Sequence, residues 1–170
     1  MATALPARVA LIGFMGAGKS TVGRLLAARL GYAFVDMDQQ IEAKSGKPIR
    51  EIFSEQGEEA FRRLEADALA ALASRRRVVI AAGGGAPMRE ENRAFFRDAA
   101  TFYLEIGFEE FLRRTLANPA RPLRTRPAEE LSALFERRQP VYRELGEVIR
   151  SEGSSPREVV EEILERLGQV

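Results

Sequence analysis

The chain has no cysteine and no histidine. Without cysteine it cannot form disulfide bonds or zinc sites built from thiolates, and a reducing compartment is compatible with this composition. Without histidine it cannot use a Ser–His or Cys–His pair, so any general base must be a carboxylate, a lysine or a tyrosine. These two absences exclude thiol and imidazole chemistry as the basis of an activity.

Long apolar segments and an excess of one charge are also missing. No apolar run approaches the roughly 18 residues of a membrane-spanning helix, and the N-terminal residues lead into a predicted strand rather than a signal peptide. The formal net charge of +1 gives no overall field that would attract nucleic acid or a membrane surface. We therefore expect a cytoplasmic protein without nucleic-acid or membrane partners, folded as one domain over residues 1–170. We also expect it to be a monomer.

The strongest local motif lies between Val9 and Thr21. Its first residues, Val9–Ile12, form a short apolar run that is typical of a buried parallel strand. Residues 13–20 then fit the P-loop pattern G-x-x-x-x-G-K-S/T, and apolar residues at helical spacing follow until Gly31. This order of strand, glycine loop and helix predicts a phosphate site, where backbone N–H groups and the helix dipole face the anion.

Lysine is scarce in this chain, which has 26 Lys and Arg residues in total and only three lysines. One of the three is Lys19, at the position where a P-loop needs a compact ammonium group. The motif predicts that Lys19 reaches the β- and γ-phosphates of a nucleoside triphosphate and that the Ser20 hydroxyl holds Mg²⁺. The alternative, a glycine-rich turn without a ligand, is disfavoured by the flanking strand and helix.

Strands and helices alternate along the chain, which implies a parallel sheet covered by helices on both faces. The predicted strands cover residues 9–12, 33–35, 78–82, 101–106 and 147–150. The predicted helices cover approximately residues 22–30, 41–45, 48–56, 58–74, 89–97, 108–116, 128–142 and 156–167. Residues 118–127 are predicted to form a loop. Ligands are expected beyond the carboxyl ends of the strands, where the P-loop, Asp36 and Gly83 each follow a strand.

Asp36 and Asp38 come at the end of the second predicted strand. Residues i and i+2 of a strand point the same way, so the two carboxylates are predicted to face one site. One would help to hold Mg²⁺ or its waters, and the other would accept a hydrogen bond from an acceptor hydroxyl and take its proton. Aspartate is equally typical of a helix N-cap, and the residues alone leave both interpretations open.

Three further features are candidates for the acceptor side of the site. The triple glycine Gly83–Gly85 has no side chain to pack and suggests close approach of the backbone to a ligand, with a tight turn as the alternative. Arg62 and Arg138 are each able to bind a substrate carboxylate, although a single arginine on a helix is most often solvated. Arg75–Arg77 is interpreted as a solvated helix end, where cations complement the dipole.

Taken together, these residues resemble the shikimate kinase family. The family's acidic run is present without a gap, as Asp36, Asp38, Ile41, Glu42, Gly46, Ile49, Ile52, Phe53, Gly57, Glu58, Phe61, Arg62 and Glu65. The other family segments are matched by Gly83–Gly85, by Arg121-Pro122-Leu123 and by Arg138-x-Pro140-x-Tyr142. The resemblance covers about residues 9–167, and the acidic run is far more specific than the P-loop.

The resemblance implies an enzyme that transfers the γ-phosphate of ATP to the 3-hydroxyl of shikimate, a step toward aromatic amino acids, with Mg²⁺ as cofactor. The implied fold is α/β, a three-layer sandwich with a five-stranded parallel sheet, as in P-loop kinases, with substrate-binding helices at about residues 36–65 and a lid at about 117–128. Its implied catalytic residues are Lys19, Asp38 and Arg121, with Arg121 reaching the transferring phosphate from the lid.

The resemblance also implies the binding residues. Nucleotide would be bound by Gly13, Gly16, Ala17, Gly18, Lys19, Ser20, Thr21, Arg114, Arg121 and Pro156. Shikimate would be bound by Asp38, Arg62, Gly83, Gly84, Gly85 and Arg138, with the two arginines on its carboxylate. Mg²⁺ would be held by Ser20 directly and by Asp36 through water. Arg124 and Gly146 depart from the usual family residues and lie outside these contacts.

Other functions fit the residues less well. A gluconate kinase is the nearest rival, because its acceptor is also a hydroxy acid, but the acidic run argues against it. An adenylate kinase is disfavoured by the spacing after the second strand, and a GTP-dependent switch needs an N-K-x-D element, whereas no Asn-Lys pair occurs. A descendant that only binds its ligand should have lost Lys19, Asp38 or Arg121, but all three residues are present. A nucleic-acid role has only the arginine-rich stretch 113–143 in its favour.

Overall fold

The computed structural model describes residues 4–117 and 126–169. Five parallel strands form its central sheet, in the order β2-β3-β1-β4-β5. The strands are β1 (Arg8–Ile12), β2 (Ala33–Asp36), β3 (Val78–Ala81), β4 (Ala100–Glu105) and β5 (Glu147–Arg150). This confirms the predicted five-stranded parallel sheet, with strand ends within two residues of those expected.

The central strand β1 explains why the sheet forms around the P-loop segment. Val9 lies opposite Val79 of β3 on one side and Ala100 of β4 on the other. Because helices cover both faces, the residues of β1 from Val9 to Ile12 and all of β3 are buried, as a continuous apolar run requires. The two edge strands are short and carry more exposed residues.

Seven helices occur in the described part of the chain, together with a 3₁₀ turn at Ala86–Met88. They are α1 (Lys19–Leu30), α2 (Met37–Ser45), α3 (Ile49–Leu72), α4 (Glu90–Asp98), α5 (Phe108–Leu116), α6 (Ala128–Leu145) and α7 (Pro156–Arg166). Helices α1 and α7 pack together, while α3, α4 and α6 form a second group. For the strand order β2-β3-β1-β4-β5, the general rule of right-handed crossovers assigns these groups to opposite faces of the sheet, which gives three layers.

The predicted helix boundaries follow from identifiable residues. Gly31 and Gly46 both have φ of 67° and end α1 and α2 in the left-handed conformation that glycine adopts without strain. Ser155 begins α7 with a complete capping box, in which its side chain accepts from the Glu158 N–H. Gly57, with φ of 86° and ψ of 171°, interrupts α3 as predicted.

Two local predictions are wrong. The helix predicted to begin at residue 48 begins at Ile49, with Pro48 as its N-cap. The segment Arg75–Arg77 is exposed but is not a helix end, because α3 stops at Leu72. Arg77 adopts a φ of 57°, and its backbone N–H donates to Ala7 O at 2.7 Å. This hydrogen bond leads the chain into β3, so the arginines are not part of the helix.

None of the helices in the described ranges has the length and apolar character of a membrane span.

Candidate active site

The ends of the strands bring the predicted site segments to one edge of the sheet. The P-loop follows β1, Asp36 ends β2, and Gly83–Gly85 follows β3. One hydrogen bond and one close approach show that these segments lie side by side. The Ser20 hydroxyl donates to Asp36 Oδ2, and a Cβ atom placed on Gly83 would lie 3.0 Å from Asp38 Oδ1. The predicted convergence at the carboxyl ends is therefore confirmed.

The P-loop backbone has the conformation that directs N–H groups toward an anion. Gly13, Gly16 and Gly18 have φ values of 147°, 77° and 98°, which side-chain-bearing residues rarely adopt. At Gly13 space is limiting as well, since a Cβ atom would lie 2.7 Å from the carbonyl oxygen of Leu104. Both constraints explain why the loop requires glycine at these positions.

Helix α1 begins at this loop with Gly18 as its N-cap, a residue that has no side chain with which to cap the helix. Such a helix end presents unpaired N–H donors and the positive end of the dipole, the features of an anion site. Lys19 Nζ donates to Gly13 O at 2.7 Å and to Phe14 O at 3.0 Å, so its ammonium group lies over the loop. Ala17 is buried in the loop and Thr21 is exposed on the helix.

Two other elements hold the outer side of the loop. Arg114 Nη1 on α5 donates to Gly16 O at 2.7 Å. Ser151, just after β5, is buried and its Oγ lies 3.1 Å from Ala17 O. We call residues 13–20, with Arg114 and Ser151, the nucleotide half of the site. Sequence reasoning missed Ser151, because a single serine after a short strand carries no motif.

The structure revises the expectation for Asp36 and Asp38. Asp36 is the N-cap of α2 and accepts from the Gln39 N–H at 3.2 Å, so the N-cap interpretation is confirmed, although its other oxygen still faces Ser20. Asp38 belongs to the first turn of α2, and the argument from strand alternation is wrong because the chain enters the helix at Met37. Asp38 reaches the site from the helix instead.

Arg62 and Glu65 lie one turn apart on α3 and form an ion pair. Arg62 Nη1 donates to Glu65 Oε2 at 2.5 Å, and Arg62 Nη2 lies 3.3 Å from Glu58. The Glu65 side chain is only 1% exposed, whereas that of Glu58 is 68% exposed. A buried carboxylate that holds an arginine fixes the direction of that guanidinium group. Sequence reasoning quoted Glu65 as part of the acidic run but did not place it in the site.

The triple glycine makes room for these charged side chains. A Cβ atom on Gly83 would lie 2.6 Å from Glu65 Oε1, and one on Gly85 would lie 2.6 Å from Arg62 Cζ. On Gly84 it would lie 3.1 Å from Arg138 Nη1. None of the three has a positive φ, so their role here is space rather than unusual backbone conformation.

Arg138 reaches the same place from α6. Its guanidinium carbon lies 5.6 Å from the centre of the Phe14 ring, which joins it to the P-loop by a cation–π contact. Its buried Nε has no hydrogen-bond partner among the described residues. The neighbouring Tyr142 donates from its hydroxyl to Gly84 O at 2.5 Å and so fixes α6 against the triple glycine. We call Asp38, Arg62, Glu65, Gly83–Gly85 and Arg138 the acceptor half of the site.

The surroundings in the acceptor half raise the pKa values of its two carboxyl groups, those of Asp38 and Glu65. Burial raises the pKa of Glu65, and the Arg62 guanidinium partly opposes that shift. The pKa of Asp38 is also raised, first by withdrawal of water from its carboxyl group and then by repulsion from Asp36 and Glu42, while Lys19 opposes the shift. Asp38 keeps an exposed surface, so water moderates this effect. Burial likewise raises the pKa of Tyr142.

Two predicted residues are not brought into the cluster. Pro156, which the resemblance places beside the adenine, is the exposed first residue of α7, as predicted. Arg121 and the lid motif Arg121-Pro122-Leu123 lie outside the described residues, as does Arg124. The predicted loop 118–127 is described only at its last two residues, 126 and 127.

Comparisons with known proteins agree with this geometry. The family model described as Shikimate kinase matches residues 15–168 of the chain. A curated shikimate kinase from Chromohalobacter salexigens is 46% identical over 162 residues, covering 93% of this chain and 90% of that protein. The structure of a shikimate kinase from Acinetobacter baumannii in complex with shikimate is similar with a TM-score of 0.90 and 38% identity, covering 95% of this chain and 93% of that one.

A more distant likeness bears on the rival interpretation. A gluconokinase from Sinorhizobium meliloti is similar with a TM-score of 0.64 and 20% identity, covering 97% of this chain and 93% of that one. An identity this low indicates a common fold alone.

Proposed function

The chain belongs to the shikimate kinase family, and on this premise we propose how its residues transfer the γ-phosphate of ATP to the 3-hydroxyl of shikimate. The products are ADP and shikimate 3-phosphate. The observation that carries the proposal is the acceptor half, where two arginines and an aspartate from three different helices surround the triple glycine beside the P-loop. Shikimate has one carboxylate and three hydroxyls, and these charges complement it.

The nucleotide half binds ATP. Backbone N–H groups of Gly13, Gly16, Ala17, Gly18 and the first residues of α1, through Thr21, surround the phosphates, and Lys19 moves from the loop carbonyls to the β- and γ-phosphates. Arg114 and Pro156 flank the adenine. The supporting observations are the three positive φ values in the loop and the glycine N-cap of α1, which leaves space for an anion at the helix N-terminus.

Mg²⁺ is the proposed cofactor, held by Ser20 and, through water, by Asp36. No group of three or more acidic residues within residues 4–117 and 126–169 is arranged to hold a metal ion. Mg²⁺ in kinases does not need such a group, because one or two carboxylates suffice beside phosphate oxygens and water. The Ser20 hydroxyl and the Asp36 carboxylate are oxygen ligands that already lie in contact, and they fit this cation. When bound, Mg²⁺ neutralises phosphate charge.

The acceptor half binds shikimate. Arg62 and Arg138 bind its carboxylate, and the unpartnered buried Nε of Arg138 marks a donor that needs an acceptor. Glu65 holds Arg62 in place, and Gly83–Gly85 lets the ring lie close to the backbone. Asp38 binds ring hydroxyls.

Asp38 is the proposed general base. It accepts a hydrogen bond from the 3-hydroxyl and takes its proton while the hydroxyl oxygen bonds to the γ-phosphorus. The bond between the γ-phosphorus and the bridging oxygen breaks, and ADP leaves. The raised pKa of Asp38 makes it a better proton acceptor than an ordinary aspartate.

Arg121 is the proposed third catalytic residue. It belongs to the lid that the family motif implies at about residues 117–128, and it would bind the transferring phosphate in cis, as an arginine finger does. A closing lid also excludes water, which suppresses transfer of phosphate to water. This role comes from the family motif. Truncating Arg121 should lower kcat more than it lowers nucleotide affinity.

We also propose that the protein acts as a cytoplasmic monomer with one domain, in which residues 36–65 form the substrate-binding segment. A role on nucleic acid is disfavoured by the net charge of +1. Size-exclusion chromatography with light scattering tests the monomer, and a stable dimer would contradict it.

A coupled assay of ADP release with Mg²⁺-ATP tests the function, comparing shikimate, gluconate, AMP and no acceptor. ADP release that depends on shikimate alone is expected. Release with gluconate or AMP instead would keep the nucleotide half and overturn the acceptor half. Absence of release with every acceptor would indicate a binding-only protein, and ATP-binding calorimetry would follow.

A further inference from the structure

The outward carbonyl oxygens of the P-loop need hydrogen-bond donors from other parts of the chain. A loop that turns its N–H groups toward phosphate turns its carbonyl oxygens away from it. Ser151 is 3.1 Å from Ala17 O, and Arg114 Nη1 donates to Gly16 O at 2.7 Å. Gly16 has a positive φ, so the chain turns at this residue, and the Arg114 bond holds the carbonyl at that turn.

Arg114 is itself held by a carboxylate on its own helix. Its Nε donates to Glu110 Oε1 at 2.5 Å. Arg113 binds the same carboxylate, with Nη2 at 2.6 Å from Oε1 and Nε at 2.8 Å from Oε2. The Glu110 side chain is 12% exposed and that of Arg114 is 26% exposed, whereas that of Arg113 is 72% exposed. The two arginines therefore share a carboxylate, but Arg114 also contacts the P-loop, whereas Arg113 is largely exposed to solvent.

We propose that Glu110 is a positioning residue for the nucleotide half, which orients Arg114 so that its guanidinium group holds the Gly16 carbonyl and the P-loop conformation. An arginine side chain loses much rotamer freedom when it is fixed. Glu110 fixes Arg114 before nucleotide arrives, so binding does not have to order it. The inference deepens the proposed function, because it rests on the role given there to Arg114.

Glu110 remains charged throughout the range of a kinase assay. Hydrogen bonds from Arg113 and then from Arg114 lower the pKa of its carboxyl to about 2. Its ion pair with Arg114 therefore persists at every pH where the enzyme would be measured.

A purely structural salt bridge on the helix surface would respond differently to substitution. It would contribute to the stability of α5 alone, and loss of Arg113 would matter as much as loss of Glu110.

Calorimetric titration with ADP, in the absence of shikimate, tests the proposal. Glu110→Gln and Glu110→Ala should weaken ADP binding by about fivefold to tenfold, because Arg114 must then be ordered on binding. The matched control is Arg113→Gln, which removes the exposed partner of the same acid. This control should bind ADP within about twofold of the wild type. In steady-state assays the Glu110 variants should raise KM for ATP and leave kcat and KM for shikimate unchanged.

A double-mutant cycle separates positioning from a direct effect. If Glu110 acts only through Arg114, Glu110→Ala/Arg114→Ala should bind ADP no more weakly than Arg114→Ala alone. A further loss in the double variant would overturn the proposal, as would unchanged ADP affinity in both single Glu110 variants. Should Glu110→Ala fail to fold, Glu110→Gln keeps the side-chain shape and carries the test.

The titration also distinguishes this proposal from the proposed function, since ADP binding needs no acceptor. A wild-type protein that binds ADP but does not phosphorylate shikimate would overturn the proposed function while the Glu110 variants still decide the role of Glu110.

Discussion

The nucleotide half of the site presents backbone groups, whereas the acceptor half presents charged side chains. In the nucleotide half, the loop at residues 13–18 and the first turn of α1 come from one continuous segment, and side chains such as Arg114 support it from behind. In the acceptor half, Asp38, Arg62 and Arg138 come from α2, α3 and α6. The first half is a local structure, and the second exists only when three helices pack together.

This difference has a chemical reason. Phosphates are alike in every nucleotide, so a backbone cradle of N–H donors is sufficient for them. A hydroxy acid must be told apart from other metabolites, and side chains of both charges, placed separately, provide that distinction. Substitutions should therefore affect the two substrates separately, according to the half in which they lie.

The largest effect is expected for Asp38→Asn. Loss of the general base should lower kcat by about 10²- to 10⁴-fold and leave ATP binding unchanged, because the nucleotide half stays intact. The coupled ADP-release assay and ATP calorimetry measure the two effects. Unchanged turnover would remove Asp38 from the mechanism.

Arg62→Ala should act on the acceptor half alone. Hydrogen bonds to charged groups contribute about 2 kcal/mol each, so KM for shikimate should rise about 30-fold or more. KM for ATP should stay the same, and steady-state kinetics with each substrate varied in turn gives both values. The carboxylate clamp is wrongly placed if KM for shikimate does not change.

The pH profile should show an acid limb that belongs to Asp38. As the pH is lowered, protonation of Asp38 should reduce turnover by about tenfold per pH unit. Because the pKa of Asp38 is raised, this decrease should begin at a pH above the usual aspartate range. Glu42→Gln removes a negative neighbour, lowers the pKa of Asp38 and should move this limb toward more acidic pH. The amide oxygen that this substitution introduces can still accept the Ile49 N–H, which Glu42 Oε1 binds at 2.9 Å. A limb that moves toward higher pH would contradict this assignment.

The same shift has a consequence for stability. Folding raises the pKa of Asp38 and of Glu65, so the folded state binds their protons more tightly than the unfolded state does. Their contribution to stability is fully present below the unfolded pKa values and is lost as pH rises through the folded ones. Chemical denaturation at a series of pH values across that range should show the free energy of unfolding decrease as pH rises. Glu65→Gln should make this decrease smaller, because it removes one of the two titrating groups.

Gly85→Ala tests whether the glycines provide space. The new methyl group would overlap the Arg62 guanidinium, with Cβ 2.6 Å from Cζ, and should displace that side chain. We expect KM for shikimate to rise about tenfold, less than after removal of Arg62 itself. Gly107→Ala is the matched control, because its Cβ would meet only the flexible end of Glu152 at 3.0 Å. Equal effects of the two substitutions would argue against a spatial role.

The smallest effect is expected for Ser151→Ala in the nucleotide half. It removes one of the bonds behind the P-loop and should raise KM for ATP about twofold to threefold, with KM for shikimate unchanged. Steady-state kinetics measures both constants. A rise in KM for shikimate instead would show that the two halves are not separate.

The ease of predicting each part from the sequence follows the same division. The P-loop, the five strands and the end of the first helix at Gly31 depend on neighbouring residues, and local patterns predict them. Arg75–Arg77 were misassigned because the backbone of Arg77 is bound by Ala7, a contact that no local pattern contains. The Asp38 argument failed for a different, local reason, since helix α2 begins directly at the strand end and Asp38 already lies in its first turn.

Glu65 and Ser151 show what sequence reasoning missed in the site. Glu65 lies three residues after Arg62, a spacing that places both on one helix face, and this signal was present in the acidic run. Ser151 gave no such signal, because its partner Ala17 is distant in sequence. Contacts between distant elements depend on packing, which a single sequence does not display.

The central claim is that two arginines from different helices recognise the carboxylate of the acceptor. Calorimetry with shikimate and with its neutral carboxamide tests it most directly, in wild type and in Arg62→Ala. The wild type should bind shikimate about 100-fold more tightly than the carboxamide, and Arg62→Ala should lose most of that preference. Equal binding of the two compounds by the wild type would contradict the claim.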